Sequence, residues 1–237
     1  MLERKIPIKI SERLTPCRLP AEYWAENILL GVIKEADRPK GCCLWAKRML
    51  DVIVSAAGIF ILSPILVLIG LTVKLTSKGP ILYRQNRCGQ YGSIFSIYKF
   101  RSMRTDAEKH SGPQWAMPGD KRATVIGKYM RLTHIDEIPQ LVNVLKGEMS
   151  LVGPRPERPE FVYSLHNLVP NYEKRLLVKP GLTGWAQIRH RYDTVLDDVR
   201  KKLRYDLFYV KKMCLAVDVK VIVQTASAVL LGNAKGV

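Results

Sequence analysis

A chain of 237 residues, 47% of them apolar, can bury a substantial core, which excludes disorder as its general state. The net charge of +17, from 38 Lys and Arg against 21 Asp and Glu, points to anionic partners: nucleic acid, acidic lipid headgroups or phosphorylated substrates. The five cysteines form no C-x-x-C pair and have no histidine at metal-ligand spacing, so neither a disulfide framework nor a zinc site is indicated, and the thiols read as reduced and incidental.

Residues 1–45 carry prolines at 7, 16, 20 and 39 and read as an extension or linker with one helix in "AEYWAENILLGVIKEA". Their first residues scatter charge and lack an apolar centre, so they do not form a secretory signal. Val52 to Val73 then runs without a charge between Lys47, Arg48 and Asp51 on one side and Lys74 and Lys78 on the other. As a helix it measures roughly 33 Å, enough to cross a bilayer, and the simplest reading is a spanning anchor. Ser63 and Pro64 at its middle argue otherwise, because Pro64 cannot donate to the Phe60 carbonyl and a kink is expected. Lys40, Lys47 and Arg48 before the run and Lys74, Lys78, Arg84 and Arg87 after it make both flanks basic. Positive charge marks the cytosolic side, so both ends are expected on one face. The sequence therefore predicts a re-entrant helix-break-helix over 46–76, broken at Ser63-Pro64, ahead of a globular domain over 77–237.

After Gly79-Pro80, two β-rich runs flank a Gly89–Gly92 turn and predict a hairpin, which carries Arg84, Arg87, Lys99, Arg101 and Arg104. Arg84 and Arg104 read as a solvated edge. Residues 105–123 read as a polar loop with an ordered piece around Trp115.

The stretch "THIDEIPQ" sets Asp136 beside Glu137 just ahead of Pro139. Ile138, Leu141, Val142 and Leu145 follow helical spacing and Gly147 ends the run, so a helix is predicted over 137–146. Proline is tolerated in a first turn, which puts the pair at that helix's start. Two readings stay open. Acidic residues there can simply cap the helix, whereas the free N–H groups, Arg131 upstream and Arg155 and Arg158 downstream could hold a phosphate. A phosphate beside two carboxylates implies magnesium. On a helical wheel Asp136 falls with Gln140 and Asn143 opposite the apolar face and Glu137 falls to one side, so different jobs are expected for the two acids.

In "SLVGPRPERPEF" three prolines restrain the backbone around Arg155 and Arg158, and arginine suits bidentate phosphate contact. Val195–Val210 and Val217–Leu231 show apolar residues at helical spacing with Lys and Arg interleaved. Asp218, Lys220 and Gln224 argue against a second span, leaving interfacial or core helices. The fold class expected is mainly α with a small β-hairpin, an α+β chain with interfacial C-terminal helices.

"KRMLDVIVSAAGIFILSPILVLIGL", "YKFRSM", "HIDEIPQLVNVLKGEMSLVGPRPE" and "KPGLTGWAQ" resemble, in order, motifs of the bacterial sugar transferases, monotopic phosphoglycosyl transferases that begin exopolysaccharide synthesis. The resemblance covers about Lys47 to Leu231. It implies transfer of a sugar-1-phosphate from a UDP-sugar to undecaprenyl phosphate, with release of UMP. It also implies that Asp136 is a nucleophile forming a covalent phosphosugar intermediate and that Glu137, with Asp136, holds Mg²⁺. Arg131 and Arg155 are then phosphate ligands, and Lys99, Arg101, Gln187 and Arg191 join them as substrate contacts. Ser63-Pro64 makes the membrane helix re-entrant. The implied location is the cytosolic face of the bacterial inner membrane, with membrane lipids as partners, no nucleic acid and room for a homo-oligomer. One stretch departs: after "GWAQ" the chain reads Ile188 to Tyr192 and keeps only Arg191 of the usual pattern, which leaves nucleotide and sugar contacts there unassigned. The alternative is a single-pass, membrane-anchored basic scaffold without catalysis.

Overall fold

The computed structural model describes residues 41–109, 119–189 and 196–230. The helix expected within 21–36, the ordered piece at Trp115 and the substrate contact Arg191 lie outside the described residues. In chain order the elements are α1 (Gly41–Thr76), β1 (Leu82–Cys88), β2 (Ile94–Phe100), α2 (Val125–Leu132), α3 (Gln140–Lys146), β3 (Ser150–Val152), α4 (Pro159–Leu168), β4 (Gly181–Thr183), α5 (Trp185–Arg189), α6 (Leu196–Lys212) and α7 (Leu215–Leu230). The chain is mainly helical, as expected, and its core gathers Phe95 and Ile97 of β2, Val144 of α3, Val152 of β3, Tyr209 of α6 and Val221 of α7.

Helix α1 takes up the whole apolar run, and Leu44–Thr76, with mean hydropathy 2.7, is long and apolar enough to cross a membrane. One stripe of it faces inward from end to end. Lys47, Asp51 and Ser55 are buried, Ile59, Leu66 and Ile69 pack on the core, and Val73 is buried again. Those positions recur at the spacing of one helical face. The opposite face leaves Phe60 82% and Leu75 84% exposed, with Ile61, Val67 and Leu68 bare between them.

The docked stripe is polar at its start. Lys47 Nζ donates to the Val152 carbonyl (2.9 Å) and the Tyr209 hydroxyl (2.9 Å) and pairs with Asp218 (2.7 Å). Asp51 accepts from the Ser150 hydroxyl (3.0 Å) and the Leu151 N–H (2.9 Å). Arg48 donates to the Val144 (2.6 Å) and Leu145 (2.8 Å) carbonyls, capping the C-terminus of α3. At the far end Val73 packs with Phe100 and Met130, and Arg101 donates to the Val73 carbonyl (3.2 Å) and the Ser77 carbonyl (2.7 Å). A single folded body therefore holds α1 at both ends. This corrects one premise of the flank argument: Lys47 and Arg48 are spent on protein partners, and among the described flank cations Lys74, Lys78 and Arg84 remain exposed.

The helix continues through Ser63 and Pro64. The break expected there is one unmade backbone bond, because Pro64 has no N–H for the Phe60 carbonyl; the Ser63 hydroxyl donates to that carbonyl at 2.8 Å.

Strands β1 and β2 form the expected antiparallel hairpin, Leu82 opposite Phe100 and Cys88 opposite Ile94, joined through a 3-10 turn over Gln90–Gly92. A second, parallel pair of strands was not foreseen: β3 and β4 set Ser150 opposite Gly181 and Val152 opposite Thr183. With three residues each they are too short to announce themselves. The backbones approach so closely that a Cβ on Gly181 would collide with the Gly153 N–H and the Thr183 carbonyl, so glycine is required there. The tail helices fall close to their expected ranges. On α7, Asp218 and Val221 face the core and Val219 and Val223 face outward. Burial pushes the Cys88 thiol up to about 12, which fits the incidental role read for it.

Candidate active site

Asp136 and Glu137 lie on a 3-10 turn, Ile135–Glu137, and not on the predicted helix over 137–146. His134 precedes it in the left-handed region (φ 55°), and the Glu137 and Ile138 N–H groups bond back three residues, to His134 (3.0 Å) and Ile135 (3.2 Å). Pro139 cannot continue the pattern and becomes the N-cap of α3, which starts at Gln140 and ends as expected at Gly147. The polar stripe proposed from the helical wheel also changes meaning. Asn143 is fully buried, donating to the Ser96 carbonyl (2.8 Å) and accepting from the Tyr98 N–H (3.0 Å), so that stripe locks α3 to the hairpin.

The two carboxylates stand in opposite environments. Lys99 donates to Glu137 Oε1 at 2.6 Å, and Arg155 grips the same carboxylate with both nitrogens, at 2.6 Å to Oε1 and 3.2 Å to Oε2. Burial opposes the charge on Glu137, but Arg155 and Lys99 outweigh it and hold the carboxyl well below its usual range. Asp136 has one recorded partner among the described residues, the Ser102 hydroxyl at 3.2 Å. Burial and then the neighbouring Glu137 charge push its carboxyl above the usual range, against Lys99, Ser102 and Arg131. Arg131, at the end of α2, is thus within electrostatic reach of Asp136, and its buried Nη1 finds no hydrogen-bond partner among the described residues.

Ser102 was missed as a site residue although it stands in the quoted "YKFRSM", which was read only for its cations. Its placement depends on α2. The Thr124 N–H donates to the Ser102 carbonyl (3.0 Å), and Gly127 lies so close to that carbonyl that a Cβ would clash with it.

Arg155 projects from the loop between β3 and α4, whose carbonyls are engaged in succession. Pro154 accepts from the Gly181 N–H (2.9 Å), Arg155 from the Arg175 guanidinium (2.9 Å), Pro156 from Arg87 (3.2 Å) and Glu157 from the Cys88 N–H (2.9 Å). Of the remaining expected contacts, Lys99 and Arg155 reach the carboxylate pair directly. Arg101 is buried against the end of α1, and Gln187 donates back to the Leu182 carbonyl of β4 (3.3 Å); neither has a recorded bond to the pair. Arg158 is drawn away by Glu108, which it meets at 2.9 Å through both oxygens.

Of the two adjacent buried acids, one is paired with two cations and the other makes a single hydrogen bond, and the same chain carries a long helix whose outer face is apolar. The chain belongs to the bacterial sugar transferase family, whose model matches residues 43–232. It is 40% identical to a UDP-N-acetylgalactosamine-undecaprenyl-phosphate N-acetylgalactosaminephosphotransferase of Aeromonas hydrophila, over 94% of this chain and 51% of that protein. Identity is 43% to a UDP-glucose:undecaprenyl-phosphate glucose-1-phosphate transferase of Klebsiella pneumoniae (82% of this chain, 42% of the relative). A protein of the same name from Caulobacter vibrioides is 39% identical over 89% of this chain and 79% of its own length. The chain thus spans about half the length of the first two relatives, 51% and 42%.

Proposed function

We propose that the protein transfers a sugar-1-phosphate from a UDP-sugar to undecaprenyl phosphate through a phosphosugar carried on Asp136. The observation that carries this reading is the electrostatic asymmetry of the pair. A desolvated carboxylate with a single hydrogen bond is a better nucleophile than a hydrated one, and Glu137, locked in its charged form, cannot share a proton with it. An Asp136 oxygen attacks the phosphorus next to the sugar, and the bond from that phosphorus to the bridging oxygen breaks, so UMP leaves with the electron pair. An oxygen of undecaprenyl phosphate then attacks the same phosphorus and displaces Asp136, which restores the carboxylate and yields the undecaprenyl diphosphate sugar. Lys99, Arg155 and Arg131 offset the phosphate charge; Lys99 and Arg155 can turn to it from Glu137.

Magnesium suits the donor set. It accepts one or two carboxylates together with phosphate oxygens, and Asp136 has unused acceptor capacity, while Glu137 gains it once a cation turns to phosphate. Asp136 and Glu137 would hold it, and it would supply charge neutralisation at the diphosphate.

Acid should switch the reaction off early. Asp136 must be ionised to attack, and its carboxyl lies above the ordinary 3.8, so the single-turnover rate should fall through a midpoint above that value. Glu137 behaves oppositely. Held below the ordinary 4.5, it stabilises the fold fully above that pH and stops doing so as pH falls through its lower folded value.

For the membrane arrangement we favour a monotopic seat on the cytosolic face of the bacterial inner membrane. From Lys47 to Val73 a helix rises roughly 39 Å, more than the roughly 30 Å hydrocarbon core, yet both positions dock on the same body. A spanning helix would part them. The deciding experiment measures UMP release with undecaprenyl phosphate and a panel of UDP-sugars, with and without magnesium, in a preparation whose single cysteines near Lys47 and Lys78 are labelled from one side. Release from at least one sugar and labelling of both sites from the same side are expected; labels from opposite sides, without release, would establish the anchored scaffold instead.

A further inference from the structure

We infer that Arg175, anchored by Asp206, is a positioning residue for Arg155, an inference that rests on the reading of Arg155 as a phosphate ligand. Arg175 sits on the 3-10 turn Tyr172–Leu177, and Asp206 comes from α6; each side chain is 3% exposed. One nitrogen of the guanidinium donates to the Tyr172 hydroxyl at 2.6 Å. The other pairs with Asp206 at 2.9 Å and donates to the main-chain carbonyl of Arg155 at 2.9 Å. A buried ion pair adds little to stability compared with apolar side chains of the same volume, because desolvation offsets its attraction. What apolar groups could not do is reach the Arg155 carbonyl with a rigid fork.

The neighbouring charges extend the brace. Lys202, one turn before Asp206 on α6, pairs with Glu157 at 3.1 Å, and Arg87 holds the Pro156 carbonyl. Helix α6 therefore grips the loop through Asp206 and Lys202, neither of which is among the groups that pair with Glu137. The Arg155 main chain is thus held by groups other than those its side chain meets, and a shift of about 1 Å in a phosphate ligand is enough to impair a transfer reaction.

A double-mutant cycle tests this. The paired change Arg175→Met with Asp206→Leu keeps the core filled and removes the brace; it is made in the wild-type chain and in an Arg155→Lys background. In the wild-type chain we expect kcat/KM to fall about tenfold with an unfolding midpoint close to the parent's, and in the Arg155→Lys background we expect less than about a twofold fall. Equal losses in both backgrounds would mean a general structural role, and no loss in the first would mean no role; either overturns the inference. Should the paired variant fail to fold, Arg175→Lys, which keeps charge opposite Asp206 and gives up the fork, is read in the same two backgrounds by the same criterion. UDP affinity by calorimetry is measured alongside. If the wild-type chain turns over no UDP-sugar, the function reading fails, while the cycle in UDP affinity still decides the inference.

Discussion

Replacing Asp136 with asparagine is expected to lower UMP release by roughly 10³-fold or more and to abolish any phosphosugar adduct on the protein. The change is nearly isosteric, and an amide can still meet the Ser102 hydroxyl, so substrate binding should stay within about twofold of the parent's. Stability should hold or rise. Folding pushes the Asp136 carboxyl upward, so the fold disfavours its charge at neutral pH, and a neutral replacement removes that penalty. Activity lost with fold and affinity intact separates a nucleophile from a structural residue. Near-native turnover would end the covalent scheme and leave Asp136 a metal-holding or purely structural role.

A loss of a different kind is expected from Lys47→Met. The ammonium meets Asp218, Tyr209 and the Val152 carbonyl inside the core, and both members of the ion pair are buried. Removing one member leaves Asp218 charged, buried and short of its partner, at about 3–5 kcal/mol. That is a large part of the roughly 5–15 kcal/mol that holds an ordinary domain together. The paired variant Lys47→Met with Asp218→Leu removes both charges and should recover most of the loss. Denaturant unfolding in detergent micelles reads the comparison; equal destabilisation of the single and paired variants would show that packing of α1, rather than charge pairing, secures its start.

What the sequence disclosed follows from the range of the forces involved. The β1–β2 hairpin, the end of α3 at Gly147 and the two tail helices are written in local chemistry, in turn glycines and apolar spacing, and they appear where expected. The acidic pair was visible, yet its turn was not, because His134 in the left-handed region and the bonding around Pro139 replace a helix start with a tighter turn. Orientation of α1 was hidden for a simpler reason: a run apolar on every side has no period to read. Lys47, Asp51 and Ser55 do recur four apart, a polar face in plain sight, but as the border of an apolar run they read as a flank. Ser102 and the brace behind Arg155 depend on partners far away in the chain. Lys99 and Glu137 are 38 positions apart, and Arg175 lies 20 from Arg155.

The loop from Pro154 to Glu157 spends its four main-chain carbonyls on the protein itself. Rigidity is one result; another concerns water. In the proposed scheme an acyl phosphate on Asp136 is open to hydrolysis as well as to the lipid acceptor, and an attacking water has to be held in line by hydrogen-bond acceptors. With each carbonyl already engaged by a protein donor, this loop offers such a water fewer acceptors, while the Arg155 guanidinium remains turned to Glu137. In the proposed covalent scheme, a loop held this way would favour transfer to the lipid phosphate over loss to water.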